Sequence, residues 1–255
     1  MKNIVYLCLL LCLSLCPVQG RAETLRVAVA ANFSATLALI KHRFEESFPH
    51  KIVVIRGSTG KLYAQIRHGA PFDVFMAADV ARPLRLEQDH LITDHSRYTY
   101  AIGQLALWWP KKSPAADGSA NPSEAIRQGL LEGRFNKLAI ANPKTAPYGR
   151  AALEVLQYLH VYEQCRPKLV YGENIAQAYQ FVESGSAALG FVALSYVKGS
   201  SADYWLPPAE AYTKLEQQLV ILAASKNQAL AQRFADFMRR DDIKSIIKAQ
   251  GYQTL

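Results

Sequence analysis

Apolar residues recur along this chain in two alternating rhythms. Short continuous runs at residues 25–30, 52–55 and 74–77 read as buried strands. Between them, apolar positions spaced three and four apart predict amphipathic helices at about 33–47, 61–68 and 81–89. The first of these helices puts Leu37, Ile40, Phe44 and Phe48 on one face. Strands that alternate with helices predict an α/β layer on a parallel sheet with right-handed crossovers.

The texture changes after Leu91. Residues 98–102 and 105–109 are strand-like, and 111–122 form a polar, proline-bearing loop. The alternation then resumes with a helix at 124–132, a strand at 138–141 and a helix at 148–160 whose Leu153, Leu156 and Leu159 face inward. A short strand at Val170, a helix at 175–183 capped by Asn174, and a strand at 188–192 follow. A strand at 219–223 and helices near 228–239 and 242–250 end the chain, and the helix carrying Leu230, Phe234 and Phe237 needs a sheet to cover. These elements make two α/β lobes, the chain visiting the first, the second and the first again. The expected division is 23–102 for the first part of lobe one, 103–213 for lobe two and 214–255 for the return, with a two-strand hinge near 103 and 205–218. A ligand would sit between the lobes, where open α/β sheets present the carboxyl ends of their strands.

The first 22 residues stand apart from this pattern. Lys2, an apolar block over residues 4–16 and the small-residue exit Gly20-Arg21-Ala22 have the layout of a secretory signal peptide cleaved after Ala22, which predicts an exported mature chain. A lipid anchor at Cys16 is disfavoured because Leu15 stands where a small residue is required. Removal of 22 of the 255 residues leaves 233, with Cys165 as the one remaining cysteine and no internal disulfide to form. The mature balance of 27 basic and 21 acidic residues, +6, is scattered along the chain, so it attracts anions at long range without pointing to nucleic acid.

Candidate chemistry concentrates where strands turn into helices. In Arg56-Gly57-Ser58-Thr59-Gly60-Lys61, glycines flank two hydroxyl residues at a helix start, and free amides with the positive end of the helix dipole favour an anion. Ala31-Asn32-Phe33-Ser34 repeats the arrangement after the first strand. The stretches 142–149 and 172–175 precede helices of lobe two, and each can aim amides into the cleft or serve only as a cap. Ser58 and Lys61 also spell Ser-x-x-Lys, a nucleophile and base spacing, but the partner motifs Ser-Asp-Asn and Lys-Thr-Gly do not occur, so a secreted hydrolase is the weaker reading. Asp73 and Asp79 would lie at opposite ends of a strand, which favours structural bonding and helix capping over a catalytic pair. The six histidines lack metal-ligand spacing. Capture of another anion or of ferric iron stays open through the tyrosines, with Tyr98, Tyr100, Tyr158, Tyr162 and Tyr179 equally suited to ordinary packing.

Several stretches in register carry a resemblance: residues 27–33, 57–62, 70–79, Asn142-Pro143 through Tyr148-Gly149, and Gly190-Phe191-Val192. Over nearly all of its mature length the chain resembles the periplasmic molybdate-binding proteins of ABC importers. The resemblance implies a type II periplasmic-binding-protein fold, no enzymatic activity, no cofactor, a monomer, and delivery of a tetrahedral oxyanion, molybdate or tungstate, to an inner-membrane permease. By position it implies Asn32, Thr59 with Ser58 beside it, Tyr148, and Ile175 through its backbone amide as the ligand site. The family's better-known branch has a tyrosine where Ala193 stands here, and the hydroxyl of Tyr148 is the expected substitute. A site of neutral donors implies selection for a fully ionised dianion over phosphate, with sulfate excluded by size; Glu173, the one acid in the four loops, is expected to face outward.

Overall fold

The computed structural model describes residues 22–110, 121–200 and 203–255. The proposed signal segment, apart from Ala22, and most of the polar loop at 111–122 lie outside these residues. The first sheet comprises β1 (Thr24–Ala30), β2 (Lys51–Gly57), β3 (Val74–Met76), β4 (Tyr98–Gly103) and β10 (Leu215–Ile221), in the order β2-β1-β3-β10-β4. The second comprises β5 (Leu105–Trp108), β6 (Leu138–Ala141), β7 (Leu169–Gly172), β8 (Leu189–Ala193) and β9 (Tyr204–Trp205), in the order β7-β6-β8-β5-β9. One residue, Gln104, separates β4 in the first sheet from β5 in the second. The return runs from β9 to β10.

Neither sheet is all-parallel, which corrects the expectation. β1 lies parallel to β2 and β3, but β10 runs antiparallel to both β3 and β4; in the second sheet β6 is parallel to β7 and β8, while β5 is antiparallel to β8 and β9. The physical reason is the two crossings. A strand that enters a lobe through the hinge, β5 or β10, has no helix to turn it over, so it joins its sheet in the opposite sense to a βαβ unit, while β4 and β9, which leave, keep the sense of the parallel strands.

The strands β1, β3 and β10 of the first sheet feed two cores by alternation. Val27, Val29, Val74, Met76, Leu219 and Ile221 face one side, where α1 (Ser34–Ser47), α9 (Gln228–Met238) and α10 (Asp241–Ala249) cover them. Ala28, Phe75 and Val220 face the other, under α2 (Thr59–Arg67) and α3 (Ala81–Gln88). Leu37, Ile40 and Phe44 of α1 are fully buried, while Phe48 lies past the helix end with extended backbone and is only half-buried. In α5 (Pro147–Tyr158) the inward face is Ala151, Ala152, Val155 and Leu156, with Leu153 and Leu159 on its flanks. A strict spacing of three drifts around the 3.6-residue turn, which is why those two leucines leave the buried stripe. The second lobe also carries α4 (Pro122–Leu131), α6 (Tyr162–Cys165), α7 (Ile175–Glu183) and α8 (Leu194–Val197).

Asp73 and Asp79 serve structure. The buried carboxylate of Asp73 accepts from Arg26 N at 2.7 Å, Ser225 Oγ at 2.5 Å and Asn227 Nδ2 at 3.3 Å, tying the start of β3 to β1 and to the turn after β10. Asp79 accepts from Arg82 N at 3.2 Å in the first turn of α3 and pairs with the Arg82 guanidinium. Asp73→Ala strands these donors, so it should lower stability by about 3 kcal/mol, read as a lower urea midpoint at unchanged slope.

Candidate functional site

Four strand-to-helix turns, joined by one residue of a fifth, meet in one pocket between the lobes. It is lined by Ala30, Ala31 and Asn32 at the end of β1, Gly57, Ser58 and Thr59 at the end of β2, Ala78 after β3, Ala146, Pro147 and Tyr148 after β6, and Asn174 and Ile175 after β7. The cavity volume is about 10 Å³, and no lining residue carries a formal charge. All five residues named from the resemblance, Asn32, Ser58, Thr59, Tyr148 and Ile175, are on this lining, and each is buried.

The helix starts explain which donors are left over. α2 begins at Thr59, two residues earlier than the apolar spacing predicts, with Ser58 in extended backbone as its cap residue. The Ser58 hydroxyl makes no capping bond and, although buried, has no partner among the described residues. A buried hydroxyl without a partner costs about 1–3 kcal/mol, and this one faces the pocket. Thr59 is held differently: its Oγ1 accepts from Ala78 N at 3.1 Å, which leaves the hydroxyl proton to be donated elsewhere. In α7 the Asn174 side chain accepts from Ala176 N at 3.0 Å and Gln177 N at 3.2 Å, so the first-turn amide that it does not engage is that of Ile175. Pro147, at the first position of α5, has no N–H, and Gly149 and Arg150 both donate to Ala146 O. Tyr148 N is the remaining first-turn donor.

The side chains of Asn32 and Tyr148 take another direction. Asn32 Nδ2 donates to Gln217 Oε1 at 2.8 Å and to Tyr252 OH at 3.3 Å, which uses both of its hydrogens. Tyr148 OH accepts from Gln217 Nε2 at 3.4 Å and stands against Gly103 at the crossover, so the hydroxyl expected to replace the missing family tyrosine is engaged at the hinge as an acceptor, with its own proton left to donate. Ala193 ends β8, fully buried, and the hydroxyls follow it in α8. Tyr196 OH donates to Ala31 O at 2.7 Å, and Ser195 Oγ accepts from Tyr252 OH at 3.0 Å. Phe33 braces this loop with edge-on contacts to Tyr100 and Tyr252 at 4.8 and 5.1 Å.

The lobes are closed on one another. Gly60 N donates to Thr145 O at 2.8 Å, and a Cβ at Gly60 would come within 2.9 Å of that oxygen. This glycine therefore serves contact between lobes, where the sequence suggested contact with a ligand. Lys61 Nζ reaches Glu173 across the cleft mouth at 2.8 Å, both side chains half-exposed. Glu173 thus stays out of the pocket lining, and Lys61 is engaged away from Ser58, which removes the base that a Ser-x-x-Lys nucleophile needs. The tyrosines considered for iron have separate uses: Tyr98 OH donates to Ala235 O, Tyr100 OH to Gln217, Tyr179 OH to Glu183, and Tyr158 is exposed.

Sequence reasoning missed Gln217, Ser195, Tyr196 and Tyr252. The signal for Gln217 was a pair of glutamines directly ahead of the apolar run at 219–222, which the structure places inside β10 with Gln217 wholly buried. The others had no signal, because their roles depend on which loops face each other.

Burial holds the phenols of this cluster neutral. It pushes Tyr252 up to about 12, partly offset by its bonds to Ser195 and Asn32, and drives Tyr100, Tyr148 and Tyr196 well above the ordinary tyrosine value. Folded-state values raised above the unfolded value near 10 give stability that is complete below about pH 10 and is lost as pH rises toward 12. Each such tyrosine should contribute about 1.4 kcal/mol of loss per pH unit in that window. Urea midpoints at pH 9, 10 and 11 test this, and Tyr252→Phe should make the decline shallower.

Comparison with known proteins agrees with the geometry. Residues 25–253 match the family model described as bacterial extracellular solute-binding protein. The chain is 43% identical over 239 residues to the molybdate-binding protein ModA of Azotobacter vinelandii, covering 91% of each, and 39% identical over 229 residues to ModA of Rhodobacter capsulatus, covering 89% of this chain and 87% of that one. Among solved structures, the Azotobacter vinelandii periplasmic molybdate-binding protein superposes with a TM-score of 0.82 at 35% identity, over 91% of this chain and 99% of that one. The chain belongs to the family of bacterial extracellular solute-binding proteins, alongside the molybdate-binding proteins of these two bacteria.

Proposed function

We propose that this protein captures a tetrahedral, doubly charged oxyanion, molybdate with tungstate as the close alternative, and delivers it to an ABC importer. The observation that carries the reading is the uncharged pocket at the meeting of four helix starts, with the buried Ser58 hydroxyl facing it unpartnered. The proposed donors are the hydroxyls of Ser58 and Thr59, the loop of Asn32, and the backbone amides of Tyr148 and Ile175. Amides and hydroxyls compensate a dehydrated dianion by donation alone, and helix starts add their dipoles. No carboxylate lines the pocket to accept from a protonated anion, so hydrogen phosphate would bury an unpaired O–H. The reaction needs no chemistry at the ligand: closure traps it, because the closed form alone lets both lobes contact it.

The proposed life of the chain begins with export and cleavage after Ala22. It then works in the periplasm as a monomer, without a lipid anchor at Cys16, and docks in its closed form on an inner-membrane permease. The proposed lobe division, 23–102, 103–213 and 214–255, draws support from the two crossings between sheets, one at Gln104 and the other between β9 and β10.

A thermal-shift panel of molybdate, tungstate, sulfate and phosphate tests the reading. At 100 times its dissociation constant a ligand adds about 2.7 kcal/mol of stability, so molybdate should raise the melting temperature and phosphate should leave it nearly unchanged. Equal shifts for phosphate and molybdate would overturn the donor-only account. Ser58→Ala should leave the ligand-free protein at least as stable as before, and more stable by up to about 1–3 kcal/mol, since it removes an unpaired buried hydroxyl, while it weakens molybdate binding about tenfold. Calorimetric titration alongside urea unfolding separates the two effects.

A further inference from the structure

Gln217 lies outside the pocket lining, yet its carboxamide touches a ligand loop of each lobe. It sits on β10, the strand that returns through the hinge, immediately before a bulge in the pairing of β10 with β4. Its Oε1 accepts from Asn32 Nδ2 at 2.8 Å and from Tyr100 OH at 3.0 Å, and its Nε2 donates to Tyr148 OH at 3.4 Å. The side chain is wholly buried, so every one of these bonds forms without competition from water.

Asn32 and Tyr148 carry both halves of a connection. Each lines the pocket and gives its side chain to Gln217. The crossover is shaped around the same contact: a Cβ at Gly103 would lie 2.1 Å from Tyr148 OH and 2.6 Å from Gln217 Nε2. Only a glycine lets the hinge strand pass this close. A residue that merely filled the core would need neither the two-sided polarity nor a bare backbone beside it.

We infer that Gln217 is the positioning residue of the binding site, its carboxamide joining the Asn32 loop of the first lobe to the Tyr148 helix start of the second and so setting how firmly the lobes close on the anion. The inference rests on the oxyanion-binding reading above. Loss of the carboxamide leaves every proposed ligand donor in place and weakens the closed form, so it speeds ligand release. The groups that face position 217 are neutral: Asn32, Tyr100 and Tyr148, with Tyr252 behind Asn32. Asp79, in the loop after β3, is paired with Arg82. A carboxylate introduced here would therefore be buried without a counter-charge and would favour its protonated form, which reproduces both the acceptor and the donor of the amide.

Molybdate titrations of the wild type, Gln217→Met and Gln217→Glu at pH 9 and pH 6, with dissociation followed by stopped flow, test the proposal. Wild-type affinity should be the same at both pH values. Gln217→Met should bind at least about tenfold more weakly at both, with the loss in the dissociation rate. Gln217→Glu should be at least about tenfold weaker at pH 9 and within about threefold of wild type at pH 6. A merely structural role would lower the melting temperature and leave affinity alone, so Gln217→Met within threefold of wild type, or Gln217→Glu without a pH difference, overturns the proposal. If Gln217→Met does not fold, the pH split of Gln217→Glu decides. A wild type that ignores molybdate would sink the oxyanion reading itself, an outcome distinct from variants that bind as the wild type does.

Discussion

A doubly charged anion taken out of water must be surrounded by hydrogen-bond donors, and a protein can supply them without formal charge where backbone amides have no partner of their own. Helix starts are such places, since the first-turn N–H groups have no carbonyl within the helix to reach. Much of the architecture follows from bringing several of them to one point. Two sheets, each with strands running toward the cleft, deliver the starts of α2 and, after a short bracing turn, α1 from one side, and of α5 and α7 from the other. Pro147 and the Asn174 cap then decide which amide of each second-lobe helix stays free.

Holding those donors in place without water is the harder demand. The pocket lining is uncharged, and its supporting layer is built from phenols and carboxamides that burial keeps neutral. Tyr252, Tyr100, Tyr148 and Gln217 satisfy one another and the loop at Asn32, so the polar groups behind the site carry few loose ends. Ser58 and Thr145 keep buried hydroxyls without a partner among the described residues, and Ser58 lines the place where the guest would sit. The lobes meet through short bonds such as Gly60 to Thr145 and Tyr196 to Ala31, contacts that a rotation about the hinge would break together.

Much of this was legible in the order of residues. The alternation of apolar runs and amphipathic stretches yields the two α/β units, and the glycine, serine and asparagine clusters at strand ends mark the turns that line the pocket. Strand direction was not legible, because an apolar run reads the same whichever way it enters a sheet. The glutamines ahead of residue 219 fell outside the strand expected there, whereas β10 begins at Leu215 and buries Gln217 beside a bulge. Gly60 shows the same limit: its neighbours announce a close approach, but the partner is Thr145 of the other lobe, 85 residues further along the chain.

The chain's own order thus determined which segments become strands and helices and which turns carry donors, since periodicity, capping residues and turn chemistry act over a few neighbouring residues. Only the tertiary structure decided which donors remain free, which side chains are spent on the hinge, and that Lys61 pairs with Glu173 instead of serving Ser58. Those outcomes depend on groups brought together from distant parts of the chain by the packing of two lobes, and no local pattern encodes the distance between them.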